Sequence, residues 1–509
     1  MPRALLSVFD KTGIVYLAEG LVGLGFEVVS TGNTLKELHA AGVPALSVAE
    51  VTGFQEILGG RVKTLHPKIH GGILAKRTEE HLGELARHGI DTIDVVVSNL
   101  YPFSQTVARQ GVREAEALEQ IDIGGPSMIR AAAKNHPWVT VVVDPADYSE
   151  VLGQLTAGIS DDSRRTLARK AFAHTAAYDA AIVAWLQRDE ALPTDINLAL
   201  TKAETLRYGE NPHQSGARYA SVGAIGMWDT AVLHSGLALS YLNLFDAEAA
   251  WRLAHELRDV SGESAVCVIV KHANACGAAV ATELTAAYGE AFAADPKSAF
   301  GGVVALPGHV DDALAAVIVA NPKPDVVLAS SYSEGALELL ARKRKNTRVL
   351  SLQAPGPRPV DVRVLDGGFL VQQPDVLTGD RSTWQVATRV VPTEQQYQDL
   401  AIAEVICART SSNAIVFVKD GVAVGIGAGQ QSRVDAVEIA AKKAGARAHG
   451  AACASDAFFP FRDGLDAVAA SGAAAVVQPG GSIRDPELII AADELGLAMV
   501  MTGARHFKH

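Results

Sequence analysis

The chain has 509 residues, more than one ordinary hydrophobic core serves, so its length predicts two to four domains. Its hydrophobic fraction of 48% and charged fraction of 20% are typical of a compact protein and argue against extended disorder. The formal net charge of −12 excludes a general electrostatic attraction to nucleic acids or anionic membranes, although local groups of Lys and Arg can still bind small anions.

The four cysteines, Cys267, Cys276, Cys407 and Cys453, lie far apart and form no CxxC pair. This spacing predicts neither a disulfide framework nor a zinc ribbon. The N-terminal residues contain no long apolar segment behind a basic start, and no charge-free apolar stretch of about 18 residues is present. We therefore expect a cytoplasmic protein with no membrane partner.

In the first part of the chain, short β-branched runs alternate with amphipathic segments. We predict strands at 4–9, 26–30, 94–100 and 139–144, and helices at 14–25, 115–121 and 163–188. This alternation predicts an open α/β sheet with parallel strands, whose ligands bind at the carboxyl ends of the strands. The polar segment 191–200 predicts a domain boundary.

The rest of the chain stays α/β in pattern. We predict strands at 265–272, 301–306, 473–481 and 498–503, a helix at 283–295, and a hairpin at 413–429 that turns at 419–421. Segment 351–392, rich in Pro and Gly, is interpreted as the connection between two lobes. Both lobes contain strand–turn–helix units of similar size, but no sequence repeat relates them, so a duplication stays open.

Five cationic or imidazole side chains lie in one loop, which reads RVKTLHPKIH at 61–70. An exposed basic loop explains such a cluster about as well as a phosphate site does. Turns rich in Ser, Thr and Gly at 7–13 and 30–34 favour the phosphate site, because turn amides after parallel strands converge on one crevice. Neither a Walker pattern nor GxGxxG is present, so an ATP or dinucleotide site is disfavoured.

Two further motifs carry cations. Gly124, Gly125 and Pro126 form a turn that begins a helix, and Arg130 and Lys134 then lie on one face of it. On its own, this face is better explained as a solvated basic edge. In LRYGENPHQ (206–214), Arg207 and Tyr208 offer a guanidinium and a hydroxyl to a phosphate.

Lys271 and His272 follow a buried apolar run and precede a turn of small residues. A desolvated lysine beside an imidazole favours the neutral imidazole, which is then a base. The alternative is a core histidine beside a lysine that extends to solvent. In the last lobe, Asp456 lies before Phe458 and Phe459, which suits a heteroaromatic ring or, alternatively, a core Phe pair with a helix cap.

Taken in order, RVKTLHP, IDIGG…RAAAKNH, LRYGENPHQ, SNA…GIGAGQQSR and SDAFFPF resemble one family over almost the whole chain. It is the family of the bifunctional aminoimidazole carboxamide ribonucleotide (AICAR) formyltransferase and inosine monophosphate (IMP) cyclohydrolase. The resemblance implies a methylglyoxal-synthase-like cyclohydrolase domain at 1–196 and two cytidine-deaminase-like formyltransferase lobes at 197–370 and 371–509. It also implies that 10-formyltetrahydrofolate formylates AICAR to FAICAR, which then closes to IMP.

The resemblance further implies which residues act. Lys271, His272 and Asn413 would carry formyl transfer, with His272 taking the proton of the amine. Lys63, Tyr101, Asp122 and Lys134 would carry ring closure, in roles that the sequence does not divide among them. The implied substrate-binding residues are Ser7, Lys11, Thr12, Ser30, Thr31, Gly32, Thr34, Arg61, Thr64, Asn99, Gly124, Arg207, Tyr208, Arg433, Asp456, Phe459, Arg505 and His509.

The same resemblance implies a homodimer with shared formyltransferase sites and allows a potassium ion near the last lobe. We expect no zinc, because no HxE…PCxxC pattern is present. The chain departs from the family at Phe9, where a Ser is common, at Asn33, where a Gly is usual, and at Ser411, where a Lys or Gln is frequent. The Phe9 departure predicts the loss of one phosphate hydroxyl.

Two alternatives of other classes stay open at this point. The first domain could be a regulatory ligand-binding module, which would not need Lys63, Tyr101, Asp122 and Lys134 together. The C-terminal lobes could form a deaminase-type hydrolase, which stoichiometric zinc would reveal. A non-enzymatic scaffold is disfavoured by the many polar clusters at predicted strand ends.

Overall fold

The computed structural model describes residues 1–109, 111–358, 360–377 and 380–509, which form two compact units. The first unit comprises residues 1–200 and 221–223, and the second comprises 201–220 and 224–509. The second unit therefore contains most of both predicted formyltransferase lobes. The two predicted boundaries between the three domains, after residues 196 and 370, stay predictions.

The described residues of the first unit form a five-stranded parallel sheet in the order β3-β2-β1-β4-β5. Its strands are β1 (Arg3–Val8), β2 (Glu27–Ser30), β3 (Leu46–Ser47), β4 (Val95–Asn99) and β5 (Thr140–Val142). The predicted open parallel sheet is thus confirmed. Strand order reverses at β1, so the carboxyl ends of β1 and β4 flank the crevice in which such sheets bind ligands.

Helices cover both faces of this sheet. They are α1 (Ile14–Gly23), α2 (Gly32–Ala40), α3 (Val48–Thr52), α4 (Pro67–Leu74), α5 (Glu79–Arg87), α6 (Phe103–Val107), α7 (Glu114–Glu119), α8 (Gly124–Lys134), α9 (Tyr148–Ala157) and α10 (Asp161–Leu186). Alternate residues of β1 enter separate cores: Leu5 packs on one face, and Ala4 and Leu6 pack on the other. Burial on both faces explains why the strands read as continuous apolar runs.

The second unit is built on a sheet to which twelve strands of the described chain contribute. Its order is β16-β21-β20-β19-β17-β18-β10-β9-β11-β12-β13-β8. These strands are β8 (Val232–Ser235), β9 (Ala265–Lys271), β10 (Asn274–Ala281), β11 (Val303–Val310), β12 (Val326–Tyr332), β13 (Arg348–Ser351), β16 (Gln385–Val386), β17 (Ile415–Lys419), β18 (Val422–Gly427), β19 (Ala452–Ser455), β20 (Ala475–Gln478) and β21 (Ala498–Met501). Two small sheets pair β6 (Leu200–Leu206) with β7 (Gly216–Ser221) and β14 (Asp361–Leu365) with β15 (Gly368–Gln372).

The helices of the second unit pack on this sheet. They are α11 (Tyr241–Ser261), α12 (Leu284–Ala294), α13 (Pro296–Ala299), α14 (Asp312–Ala320), α15 (Glu334–Lys343), α16 (Glu394–Ala408), α17 (Arg433–Ala444), α18 (Arg462–Ala470) and α19 (Asp485–Leu495). Among the described residues of the whole chain, no helix combines the length and the apolar composition that crossing a bilayer requires.

The second unit contains a structural repeat. Lobe 1 (residues 241–351) and lobe 2 (residues 394–501) each run from a long helix through a β-hairpin and a helix to three parallel strands with intervening helices. Their strand orders match, with β10-β9-β11-β12-β13 in lobe 1 and β18-β17-β19-β20-β21 in lobe 2. The antiparallel pairing of β10 with β18 joins the two halves. The duplication that the sequence left open is therefore visible in the topology.

Candidate active sites

In the first unit, the carboxyl ends of β1 and β4 are tied together by Asn99. Its Oδ1 accepts the backbone N–H groups of Phe9 (2.7 Å) and Asp10 (2.9 Å), and its Nδ2 donates to the carbonyl oxygen of Asp10 (3.1 Å). Asn99 therefore shapes the loop after β1. Its three hydrogen bonds engage both ends of the amide, which does not support the predicted direct contact with substrate.

The hydroxyl groups predicted to bind phosphate divide into two sets. Ser30 is buried and donates to the carbonyl oxygen of Leu6, and Thr34 is buried and bonds both backbone groups of Val8. These two hydroxyls hold β2 and α2 against β1. Ser7 and Thr31 instead pair with each other through their hydroxyls at 3.0 Å, next to the beginning of α2.

A lysine faces the beginning of α2. The Nζ of Lys63 lies 3.8 Å from the position that a Cβ of Gly32 would occupy, and Gly32 has a positive φ of 48°. The N-terminus of a helix carries a partial positive charge and free N–H groups. The two features together give a local positive potential in this acidic protein.

Asp122 lies close to the same lysine. Its Oδ1 accepts the N–H of Gly125 at 2.9 Å, and its own N–H donates to the hydroxyl of Tyr178 at 2.8 Å. Burial raises the pKa of the Asp122 carboxyl, and the nearby charge of Lys63 opposes that rise. The carboxyl thus retains its proton to a higher pH than an exposed aspartate does, which suits a proton donor.

Thr64 and Gly124 lie in contact beside Lys63 and Asp122, which we call the Lys63–Asp122 group. A Cβ on Gly124 would lie 2.8 Å from the Oγ1 of Thr64, so only glycine permits this approach. Tyr101 is 39% exposed, and its ring lies 5.4 Å from that of Phe9. The Phe9 departure from the family thus places an aromatic ring beside Tyr101.

Three other predicted residues do not join this group within the chain. Arg61 is exposed and forms an ion pair with Glu119. Thr12 bonds Asp10, and the Nζ of Lys11 donates to the carbonyl oxygen of Phe9 (3.1 Å). These contacts leave the predicted binding roles of the three residues unsupported, and those roles stay predictions.

Lys134 is exposed at the end of α8, whereas Gly124 and Asp122 lie at its beginning. Because α8 has 11 residues, it is about 16 Å long, which is more than a lysine side chain spans. The adjacent Asn135 bonds the carbonyl oxygens of Ile73 and Ala75, at the end of α4. The structure therefore does not bring Lys134 to Asp122 within one chain.

In the second unit, Lys271 ends β9, and His272 begins the turn between β9 and β10. His272 and Ala273 both have positive φ angles, 54° and 57°, as a type I′ hairpin requires. Their N–H groups donate to the carboxylate of Asp246 on α11, at 3.2 and 2.7 Å. The Nζ of Lys271 donates to the carbonyl oxygen of Phe300 at 2.9 Å. His272 is exposed at the tip of this turn.

Lobe 2 supplies the other side of this site. The antiparallel pairing of β10 with β18 puts the beginning of β10 on the same edge of the sheet as the end of β18 and the beginning of β17. A direct link confirms this arrangement, since the N–H of Ser411 donates to the Oδ1 of Asn274 at 2.8 Å. The turn after Lys271 and the segment that carries Asn413 therefore lie at the same edge of this sheet.

A buried ion pair supports Asn413. The Arg433 guanidinium pairs with the Asp456 carboxylate, donates to the Ser455 hydroxyl (2.8 Å), and donates to the Oδ1 of Asn413 (2.8 Å). Arg433 and Asp456 are only 8% and 4% exposed. The predicted contact of Arg433 with substrate is therefore not supported, because its guanidinium is enclosed and its N–H groups are already bonded.

A pocket of about 400 Å³ opens beside Asn413. Its lining includes Arg505 and Phe507, which stack at 4.4 Å, and Phe461, which is 52% exposed. Phe459, the predicted aromatic contact, is fully buried in the core of lobe 2, where its N–H donates to Gln478. Phe461 is the more accessible aromatic surface in this pocket.

The remaining predicted residues lie further away. Arg207 donates to the Tyr208 hydroxyl at 2.9 Å, and both lie near Arg348, whose pKa is lowered by burial and further by the charge of Arg207. Arg348 begins β13, three strands from β9 on the same edge as Lys271, a separation of about 14 Å. His509 is exposed, and its ring lies 5.4 Å from that of Phe507, tilted by 56°.

The sequence analysis did not single out Asp246, Asn274 or Lys508. One signal for Asp246 exists. It follows a helix-capping Ser240 by six residues, just as Asp399 follows the capping Thr393, and Asp399 accepts the N–H groups of the lobe 2 hairpin turn. Within the described residues, no group of three or more His, Cys, Asp or Glu is arranged to hold a metal ion.

Comparison with known proteins assigns the chain. The family model described as AICARFT/IMPCHase bienzyme matches residues 132–443, more than half of the chain, and the MGS-like domain matches residues 13–127. The chain belongs to the AICARFT/IMPCHase bienzyme family. It thus combines an AICAR formyltransferase with an IMP cyclohydrolase and catalyses the last two steps of IMP synthesis, with a folate as co-substrate.

One solved structure, titled "Crystal structure of ForH", is 41% identical to this chain over 36% of it and 96% of that chain, with a TM-score of 0.33.

Proposed function

We propose that the two activities occupy separate places, formyl transfer at the turn of residues 271–274 and ring closure at the Lys63–Asp122 group. The observation that supports this division most is the convergence of the Lys271–His272 turn with Asn413 on one edge of the second unit. The Lys63–Asp122 group lies in the first unit, at the carboxyl ends of a separate parallel sheet.

For formyl transfer, the amine of AICAR attacks the formyl carbon of 10-formyltetrahydrofolate. The bond between that carbon and N10 breaks, N10 gains a proton, and His272 takes the proton that the amine loses. Lys271 orients the turn through Phe300 and lies where charge develops on the formyl group. The Oδ1 of Asn413 accepts from Arg433, and its Nδ2 donates to the carbonyl oxygens of Gln430 (2.9 Å) and Gln431 (3.1 Å), so its proposed contact with the formyl oxygen or the carboxamide requires one of these bonds to be replaced.

The pocket beside Asn413 is the proposed site of the pterin. Its exposed aromatic ring, Phe461, offers a flat apolar surface, and Arg505 provides a cation at its edge. Arg207 and Tyr208 remain our candidates for the phosphate of AICAR, because they lie near Arg348, which begins β13 on the same edge of the sheet as Lys271.

For ring closure, the carboxamide nitrogen of FAICAR attacks the formyl carbon and water leaves. Lys63 stabilises the oxyanion that forms, and this oxygen takes one proton from the attacking nitrogen. Asp122 then protonates the departing hydroxyl and regains its proton from the formamido nitrogen as the ring double bond forms. The phosphate binds at the beginning of α2, near Ser7 and Thr31. Tyr101 and Thr64 lie at the rim of this group, and the predicted role of Lys134 requires a contact that one chain does not provide.

The direct test supplies AICAR and 10-formyltetrahydrofolate to the whole protein and follows tetrahydrofolate and IMP separately. We expect both products. The absence of both would refute the proposal, and zinc-dependent release of ammonia from a nucleoside would favour the deaminase-type alternative.

Asp122→Asn tests the ring-closure site. We expect cyclohydrolase activity on FAICAR to fall about 10²-fold or more, because the variant has no carboxylic proton to donate, while formyl transfer stays within about twofold. Lys63→Met should behave in the same way. Lys68→Met is the matched control, because Lys68 donates to the carbonyl oxygen of Val51 and not to this group. Unchanged ring closure in Asp122→Asn would contradict the assignment and favour a purely regulatory first domain.

We also propose that the protein is a homodimer with shared formyltransferase sites. Large apolar side chains are exposed next to the Lys271 turn, namely Tyr241, Phe245 and Phe300, at 41%, 54% and 59%. A second copy could cover them. Sedimentation tests the oligomeric state, and mixing two inactive variants from opposite sides of the site tests sharing, because shared sites regain activity in mixed dimers.

A potassium ion beside lobe 2 is the remaining part of the proposal. Among the described residues, the buried Oδ2 of Asp456 has no hydrogen-bond partner, and it borders a void of about 10 Å³ that Glu404 and Thr502 also line. That volume suits one water or ion. We expect the rate of formyl transfer to rise when KCl replaces choline chloride at equal ionic strength, and equal rates in both salts would contradict the potassium site.

The four cysteines, all free and buried, are consistent with the proposed cytoplasmic location.

A further inference from the structure

The two hairpin turns of the second unit are held by the same two contacts. Asp246 in lobe 1 and Asp399 in lobe 2 each accept two N–H groups of their turn. The lysine that ends the first hairpin strand, Lys271 or Lys419, donates to a backbone carbonyl, of Phe300 or His449, at 2.9 Å in each lobe. These contacts therefore belong to the repeated fold and not to catalysis alone.

The third contact differs between the lobes. In lobe 2, the carbonyl oxygen of Gly421 accepts the backbone N–H of Val280 at 3.0 Å. In lobe 1, the equivalent carbonyl oxygen, of Ala273, accepts the Nζ of Lys508 at 2.8 Å. The turn that carries His272 is thus held by a side chain from outside the repeat, where its counterpart is held by the backbone of the sheet.

Lys508 also contacts the segment that leads to Asn413. Its Nζ donates to the carbonyl oxygen of Arg409 at 2.8 Å, and its own carbonyl oxygen accepts the N–H of Ser412 at 2.9 Å. Burial and the charges of Arg409 and Arg358 lower the pKa of its ammonium to about 8, against the opposing charges of Asp246 and Glu256. One residue therefore bridges both sides of the proposed formyl-transfer site.

We propose that Lys508 is a positioning residue for formyl transfer, which fixes the His272 turn against the segment that carries Asn413. Its neighbours Arg505 and Phe507 line the pocket beside Asn413, so the 505–509 segment links that pocket to the position of the turn. The inference rests on the proposed roles of His272 and Asn413. It adds a residue that touches neither the reacting atoms nor the substrate.

The test compares Lys508→Met with the wild-type protein in the full chain. We expect kcat for formyl transfer to fall at least tenfold, KM for AICAR and for the folate to change less than threefold, and ring closure of FAICAR to stay within twofold. Lys419→Met is the matched control, because it removes a lysine-to-carbonyl bond from the lobe 2 turn; its kcat should stay within twofold. His272→Asn in the same assay reports on the proposed function itself.

Chemical rescue separates positioning from a general loss of structure. The native cysteines are buried, so Lys508→Cys provides a half-buried thiol for 2-bromoethylamine, which restores an ammonium at the same reach. We expect aminoethylation to restore at least a third of the lost kcat, and S-methylation to restore none.

Three results would overturn the proposal: a kcat of Lys508→Met within twofold of the wild type, an equal loss of both activities, or a loss confined to KM. If His272→Asn retains formyl transfer, the proposed function fails. If His272→Asn is inactive and Lys508→Met is fully active, only the role of Lys508 fails.

Discussion

The two lobes of the second unit share a topology but differ at the turns that the topology repeats. The turn of lobe 1 carries Lys271 and His272, and it faces Asn413 and the Arg433–Asp456 pair of lobe 2. The turn of lobe 2, with Asp420 and Gly421, lies on the opposite edge of the sheet.

The residues of lobe 1 that correspond to Arg433 and Asp456 are Leu284, which begins α12, and Pro307 in β11. Neither can form an ion pair. The duplicated fold therefore offers two equivalent edges, and chemistry-bearing side chains occupy one of them. The two lobes share their backbone geometry but differ in the side chains at these positions, so the repeated scaffold carries a single site.

Substituting the residue at the tip of each turn is the strongest test of the functional difference between the two turns. We expect His272→Asn to lower kcat for formyl transfer about 10³-fold, because an amide cannot accept the amine proton at neutral pH. Asp420→Asn should stay within twofold, since asparagine tolerates the positive φ of 51° at that position. The measurement is steady-state formation of tetrahydrofolate. Comparable losses in the two variants would remove the functional distinction between the turns.

Removing the aspartate beneath each turn should have a smaller effect on rate. Asp246→Ala and Asp399→Ala each deprive two turn amides of their acceptor, at a cost of about 1–3 kcal/mol in the free energy of unfolding. We expect only Asp246→Ala to lower kcat for formyl transfer, by about tenfold, because it alone releases the His272 turn. Denaturant midpoints and kcat are measured together. An equal fall of kcat in both variants would show that the rate follows stability alone.

The smallest expected effect concerns the long helices. Glu404 on α16 follows Asp399 by five residues, and the buried Trp251 on α11 follows Asp246 by five residues. The two lobes therefore have a glutamate and a tryptophan at equivalent positions of their long helices. Burial raises the pKa of Glu404 to about 7. The folded protein then holds a proton that the unfolded chain releases, so stability falls as pH rises from about 4.5 to about 7, by no more than about 3 kcal/mol.

Glu404→Gln should remove this part of the pH dependence. We expect the difference in denaturant midpoint between pH 4.5 and pH 7.5 to shrink in the variant, measured on the same unfolding transition as for the wild type. Parallel pH profiles for the two proteins would mean that Glu404 does not titrate in this range.

Local patterns in the sequence predicted much of the secondary structure. The β-branched runs at 4–9, 94–100 and 265–272 became β1, β4 and β9, and the Asp-Gly pair became the turn of the β17–β18 hairpin. These predictions succeeded because strand burial and turn conformation depend on neighbouring residues. The motif at 271–277 indicated where a buried strand delivers a lysine and a histidine into a turn.

Other assignments depend on tertiary partners that the sequence does not reveal. The sequence around Arg433 does not reveal whether its guanidinium binds a substrate or the Asp456 carboxylate. Only the fold brings Asp456 and Asn413 to it. The separation of Lys134 from Asp122 follows from their positions at opposite ends of α8. The exposure of Phe459 and Phe461 likewise depends on the fold, because the packing of lobe 2 buries Phe459 and leaves Phe461 exposed.

The sequence by itself determined the order of strands and helices, the turns, and the motifs by which the chain resembles its family, because each depends on residues close together in the chain. The tertiary structure alone decided the repeat of the two lobes and the environment of each charged group. Those features join residues such as Ala273 and Lys508, which lie more than 200 positions apart, and no local pattern encodes such a contact.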